Sequence, residues 1–191
     1  MCIRDRGMQG EDAKYLKTIA TLKHFAANNC EGERQTGTSV MTEKTFREYY
    51  TRTFKDIVES SNPASVMSSY NALTISRNGE VFSDYMASSA NKYLLTDLLR
   101  RTWGFSGYVV GDCGAWENLF GRQSMRQKLF PDWNLDDITA PMAVSKAFNA
   151  GNNLDCGSRA QGSTFESVEQ GWMSEETLDV AVYSLFLARM K

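Results

Sequence analysis

Residues 108–116 read YVVGDCGAW, an apolar run that ends on the carboxylate of Asp112. Burying an ionised carboxylate is costly unless something nearby compensates it. Asp112 therefore either caps the next helix or stands at the mouth of a strand, where a carboxylate can act as base or nucleophile. Three further apolar runs carry polar groups at their ends: Lys23-His24, Ser69-Tyr70-Asn71 and Asp155. A lysine supplies three hydrogen-bond donors and a histidine one or two. Adjacent at a strand end, Lys23 and His24 need partners, which favours a binding site over a satisfied core histidine.

The elements that position these groups are four strand-length runs alternating with helical segments. The runs are 19–26, 64–70, the run ending at Asp112, and 153–157. Between them, Phe46, Tyr50, Phe54, Ile57 and Val58 share one helical face, with Thr45 and Glu48 fitting a capping box and Asn62-Pro63 as the stop. Leu94, Leu95, Leu98, Leu99 and Trp103 predict a second helix ended by Gly104, and Met142, Ala143, Ala147 and Phe148 a third ended by Gly151. Leu178, Val182 and Leu185 mark a last helix with Ser174 as N-cap. Residues 30–40 and the stretch around Asn78-Gly79 read as loops, and 117–137 as a long polar insert carrying Phe120, Phe130 and Trp133.

The expected fold class is therefore α/β with a parallel sheet, either an open sheet or part of an eight-fold barrel. No glycine-rich phosphate-binding motif follows a strand, which disfavours the nucleotide-binding version. Polar groups at successive carboxyl ends of strands suit a barrel, so the expectation is a partial (β/α)8 TIM-like barrel of about four βα units.

The bulk numbers narrow the function classes. A net charge of −2 gives no general electrostatic reason for a nucleic-acid partner. No apolar stretch approaches the roughly 20 residues of a membrane helix. Four cysteines, Cys2, Cys30, Cys113 and Cys156, include no C-x-x-C pair, and His24 is the sole histidine, which speaks against a structural zinc site. The cysteines allow three pairings or free thiols. Met1–Arg6, MCIRDR, can be encoded by a string resembling a sequencing-adapter end, so residues 1–6 are set aside as a scar and 7–191 treated as the domain.

Four motifs carry a family resemblance: KHFAANN (23–29), SVMSSYNAL (65–73), NKYLLTDLLRRTWGFSGYVVGDCGA (91–115) and AGNNLDCG (150–157). In this order they resemble glycoside hydrolase family 3 over roughly residues 14–191, and imply the later half of that family's N-terminal barrel-like domain. The resemblance makes Asp112 the catalytic nucleophile of a retaining exo-β-glycosidase. It makes Lys23 and His24 ligands of the sugar next to the scissile bond, with Lys23 keeping Asp112 ionised. Tyr70 matches a tyrosine close to the nucleophile, Met67 a residue of the pocket wall, and Arg34 an arginine of the loop after KHF. Gly111 and Gly114 are expected to leave room for a sugar ring. Asp155 is read as structural, Asp136-Asp137 as solvated or capping, and Trp133 as a sugar platform or a loop tryptophan packing under its own loop.

Two departures refine this. Gly111 replaces the serine usual before the nucleophile, and Cys113 stands where many family β-glucosidases have tryptophan. The DC pair with DLDCG resembles the β-xylosidase and arabinosidase branch, while the Asp-x-His signature of the β-N-acetylhexosaminidases is missing. The implied partner is a β-linked oligosaccharide, with no metal or organic cofactor and a secreted or periplasmic destination. The family's acid, usually a glutamate in a second domain, and the first half of the barrel lie outside this chain. The chain is therefore expected to be an inactive fragment with exposed sheet flanks, an aggregation hazard. The alternative is a carbohydrate-binding paralogue without turnover.

Overall fold

The computed structural model describes residues 7–12 and 14–191; residues 1–6, expected to be a scar, and with them Cys2, lie outside the described residues. The apolar runs form strands where expected. β1 (Thr21–Phe25), β3 (Ser65–Ser68) and β6 (Tyr108–Gly111) make a parallel sheet in the order β1-β3-β6. Leu22 sits opposite Val66, and Val66 opposite Val109, so one face presents a continuous apolar row. Onto it pack Leu94, Leu95, Leu98 and Leu99 of the π-wound helix Tyr93–Thr102, together with Val58 of α1 (Arg52–Ser61). The helical spacing read from the sequence is thus the inward stripe of both helices. Asn62 ends α1 in a left-handed conformation, and Gly104 follows the second helix with φ of +74°.

Other elements depart from the expectations. The presumed loop 30–40 contains β2 (Thr38–Thr42), and the presumed loop at Asn78-Gly79 is the turn of a hairpin between β4 (Ala72–Arg77) and β5 (Glu80–Ala87). These three strands form a second, mixed sheet ordered β2-β4-β5. Asn78 and Gly79 both have positive φ, 52° and 85°, the pairing a tight two-residue hairpin requires. Thr45 is not a cap. β2 runs straight into helix, so the N-cap is Thr42, whose hydroxyl accepts from the Thr45 amide at 3.2 Å.

The long insert is helical: α2 (Ala115–Gly121) and α3 (Gln123–Leu129) carry Trp116, Leu119, Met125 and Leu129 into a second core. α4 (Ala140–Ala150) joins that core with Met142, Ala143, Ala147 and Phe148, as its spacing predicts, and Gly151 ends it at φ +112°. The fourth strand is reduced to one parallel bridge, Val110 to Leu154. α5 (Arg159–Glu169) was not predicted, because it docks through Ser163 and Ser167 while Phe165 faces solvent, so no apolar stripe marks it. Ser167 donates to the Pro141 carbonyl at 2.7 Å. α6 (Glu175–Arg189) starts at Ser174, whose hydroxyl accepts from the Thr177 amide at 3.2 Å. Its inward face centres on Ala181; Val182 is exposed.

A carboxylate ties the two sheets' surroundings together. Glu43 Oε1 accepts from Arg47 Nε at 2.9 Å, Arg77 Nη2 at 2.8 Å and the Tyr93 hydroxyl at 2.9 Å. Arg77 at the end of β4 contributes most to holding the Glu43 carboxyl well below its ordinary 4.5, at about 2. Because the folded state depresses this value, the stabilisation is complete above about pH 4.5 and is lost as pH falls towards 2. Urea unfolding between pH 2 and 6 should therefore show wild type losing stability across that window and E43Q losing less. Parallel pH profiles would remove Glu43 from the account.

Candidate active site

The three parallel strands deliver their carboxyl ends to one side of the sheet. β6 pairs with β3 so that Ser68 faces Gly111, and the Asp112 amide donates to the Ser68 carbonyl at 3.0 Å. Asp112 is thereby the first residue beyond the strand. Its Oδ1 accepts from the Cys113 amide at 2.8 Å, and its Oδ2 lies 3.3 Å from His24 Nε2 at the end of β1. The Asp112 side chain is 15% exposed and that of His24 34%, so the pair is sheltered yet reachable.

The capping alternative fails on geometry. α2 is entered through Gly114, left-handed at φ +80°, with no side-chain cap. What Asp112 gives the helix is its backbone carbonyl, which accepts from the Ala115 amide at 2.8 Å. The carboxylate is left for His24 and for whatever occupies the mouth of the sheet.

The strand end is braced from below by buried polar groups. Ser68 Oγ lies 3.0 Å from Ser89 Oγ and 3.2 Å from Asn152 Oδ1. Ser69 donates to Asn71 Oδ1 at 2.7 Å, and Asn71 Nδ2 donates to the Ala26 and Ala27 carbonyls beyond β1. Because each of these groups finds a partner, burial costs little and the strand ends are held in one geometry.

Tyr70 reaches the site from the loop after β3. Its hydroxyl donates to the Cys113 carbonyl, and the Arg34 guanidinium lies 5.0 Å over its ring. Burial, and then the negative charge of Asp112, push the Tyr70 phenol above its ordinary value, so it remains a donor at neutral pH. Arg34 also pairs with Glu31 at 2.7 Å. Met67 is half-buried, opposite Val110 in register, and belongs to neither apolar core. Lys23 is exposed, and the side chain that approaches the Asp112 carboxylate is His24 rather than Lys23. The site thus brings together Asp112, His24, Tyr70 and Arg34, with Met67 on the neighbouring strand.

Three features escaped the sequence reading. Cys113 and Cys156 form a disulfide, although spacing alone left the pairing open. Cys30 is free and exposed. The expected space at Gly111 is filled: a Cβ there would sit 2.4 Å from Trp116 Nε1, so the glycine accommodates an indole rather than a sugar. At Gly114 the room is real, since the nearest atom to a Cβ would be the Tyr70 hydroxyl at 4.0 Å. Asp155 serves α5, accepting from the Ala160 amide at 3.1 Å, and burial raises its pKa. Trp133 packs edge-on against Trp172 with centroids 5.4 Å apart and remains 43% exposed. Asp136 and Asp137 are solvated in a short turn.

The family profile described as the glycosyl hydrolase family 3 N terminal domain matches residues 5–185. The chain belongs to glycosyl hydrolase family 3. It is 34% identical over 187 residues to an exo-1,4-β-xylosidase of Emericella nidulans, covering 94% of this chain and 22% of that protein. A β-xylosidase/α-L-arabinofuranosidase of Medicago sativa subsp. varia is 31% identical over 94% of this chain and 21% of its own length. Among solved structures, a family 3 exo-β-xylosidase in complex with a xylobiose aziridine probe superposes with a TM-score of 0.74 at 30% identity. That match covers 96% of this chain and 22% of the enzyme. The β-glucosidase 3B of Thermotoga neapolitana, in complex with glycerol, gives 0.63 at 29% identity over 89% of this chain and 21% of its own. This family 3 chain spans about a fifth of the length of the curated relatives it matches.

The Gly111–Trp116 contact is testable by a double-mutant cycle. G111A should destabilise by about 1–3 kcal/mol through overpacking. Combined with W116F, which withdraws the indole nitrogen, the alanine should cost less, giving a coupling above about 0.5 kcal/mol. Additive losses in thermal or urea unfolding would show that the contact carries no strain.

Proposed function

We propose that this chain is part of an exo-acting, retaining β-glycosidase of the β-xylosidase or β-glucosidase type, with Asp112 as nucleophile. The observation that carries the reading is the carboxylate of Asp112 at the mouth of a parallel sheet, paired to His24 and free of capping duty, in a family 3 chain. The β-xylosidase type is supported by the names of the relatives matched along most of the chain.

In this reading residues 7–191 form half of a (β/α)8 barrel. The Leu22–Val66–Val109 row faces the helices, and the Met67–Val110 row faces the barrel interior. Ionised Asp112 attacks the anomeric carbon of a non-reducing β-xylosyl or β-glucosyl end and expels the leaving oxygen. A glutamate outside this chain first protonates that oxygen and then activates water, from about 5–5.5 Å across the sugar. His24 steadies Asp112 and, with Lys23 and Arg34, offers donors to the sugar hydroxyls. Met67 lines the wall. Tyr70 acts chiefly on the protein, since its phenol proton is committed to the Cys113 carbonyl. The remaining barrel segments and the second domain complete the pocket, and the chemistry requires no metal or organic cofactor.

The test uses the full-length enzyme with 2,4-dinitrophenyl 2-deoxy-2-fluoro-β-xyloside and its glucoside counterpart. The activated leaving group needs little acid help, so the probe reports on the nucleophile. A covalent label mapped to Asp112 is expected, with D112N unlabelled and its turnover of aryl glycosides reduced by at least about 10³-fold. A label on another carboxylate would overturn the assignment.

A further inference from the structure

We propose that the Cys113–Cys156 disulfide positions Asp112, and that reducing it with a thiol disables the nucleophile while leaving the fold standing. The proposal rests on the reading of Asp112 given above. β6 ends at Gly111 and α2 begins at Ala115, so the nucleophile loop is residues 112–114 alone. Within it, the Asp112 carboxylate is oriented by the Cys113 amide. The position of Cys113 therefore sets the direction of Oδ1.

Packing does not fix Cys113. The residue is exposed, and neither it nor Cys156 belongs to either apolar core. It is held by the bond to Cys156 and by the Tyr70 hydroxyl on its carbonyl. Beside the disulfide, the Gly114 amide donates to the Cys156 carbonyl at 2.9 Å. The Cys156 segment in turn leans on β6 through the Val110–Leu154 bridge. The disulfide thus adds a covalent tie where the expected fourth strand is reduced to a single bridge. Breaking it removes no buried apolar surface, so the cores remain while the loop gains freedom.

Cys113 is open to attack. One thiolate of dithiothreitol attacks Cys113 Sγ, forms a mixed disulfide and releases the Cys156 thiolate. The second dithiothreitol thiol then closes its own ring and releases Cys113. Two electrons pass from dithiothreitol to the cysteine pair, and dithiothreitol leaves as a cyclic disulfide. The free thiol of Cys30 is removed in a C30A background so that it cannot reshuffle the pair.

The experiment follows trapping of Asp112 by the fluoro-xyloside in full-length C30A enzyme, oxidised, or reduced and alkylated, and in the C113S/C156S double variant. Thermal unfolding and product-xylose affinity are measured alongside. Trapping should slow about 10- to 100-fold on reduction, with cooperative unfolding retained and xylose affinity little changed. Replacing the reductant on unalkylated enzyme with oxidised glutathione, which accepts the two electrons and leaves as two glutathione thiols, should re-form the bond and restore the rate. Equal trapping in oxidised and reduced enzyme would overturn the positioning role while leaving Asp112 as nucleophile. Loss of cooperative unfolding on reduction would overturn it too, making the bond a general stabiliser. Failure to label Asp112 in the oxidised enzyme would instead overturn the reading of the site.

Discussion

The architecture depends on the register of β6 against β3. Met67 faces Val110, Ser68 faces Gly111, and the next amide, that of Asp112, closes on the Ser68 carbonyl. In a strand, successive side chains point to opposite faces, so a slip of one residue would exchange the helix-facing row for the other one. The same slip would carry Asp112 out of reach of His24. Apolar packing of Val66 and Val109 beneath the helices therefore fixes where Asp112 stands at the strand end.

That register is reinforced by polar groups that have lost their water and found each other. Arg100 is mostly buried, and burial lowers its pKa, yet its guanidinium serves the Gly107 carbonyl at 2.9 Å, the Gly151 carbonyl at 3.2 Å and Asn153 Oδ1 at 2.7 Å. Asn153 Oδ1 also accepts the Val109 amide at 2.7 Å. One fork thus binds the start of β6, the end of α4 and the segment leading to Cys156. The disulfide completes this tie, and the 43-residue separation it closes corresponds to about 4 kcal/mol of lost chain entropy in the unfolded state.

Much of this was legible in the residues. The strands ending at Lys23-His24, Ser69-Tyr70 and Asp112, and the leucine stripe over them, follow from apolar spacing alone. The hairpin was legible too, in Asn78-Gly79, but a loop reading hid it because β4 and β5 alternate imperfectly around a bulge. α5 was not legible by periodicity, since its buried positions are serines, with Ala160 and Val168 only partly buried beside them. In the site, residue type pointed to Asp112 and His24 and missed that Tyr70 grips a backbone carbonyl. Pairing of Cys113 with Cys156 and the filling of the Gly111 space by Trp116 are tertiary facts, which no local pattern encodes.

The indole beside Gly111 has a consequence for how such sequences diverge. With Nε1 of Trp116 2.4 Å from where a Cβ would stand, a residue with a side chain at 111 and tryptophan at 116 exclude each other on this backbone. The two positions are therefore coupled: a side chain at 111 requires a smaller residue at 116, or a shift of Trp116 away from the strand.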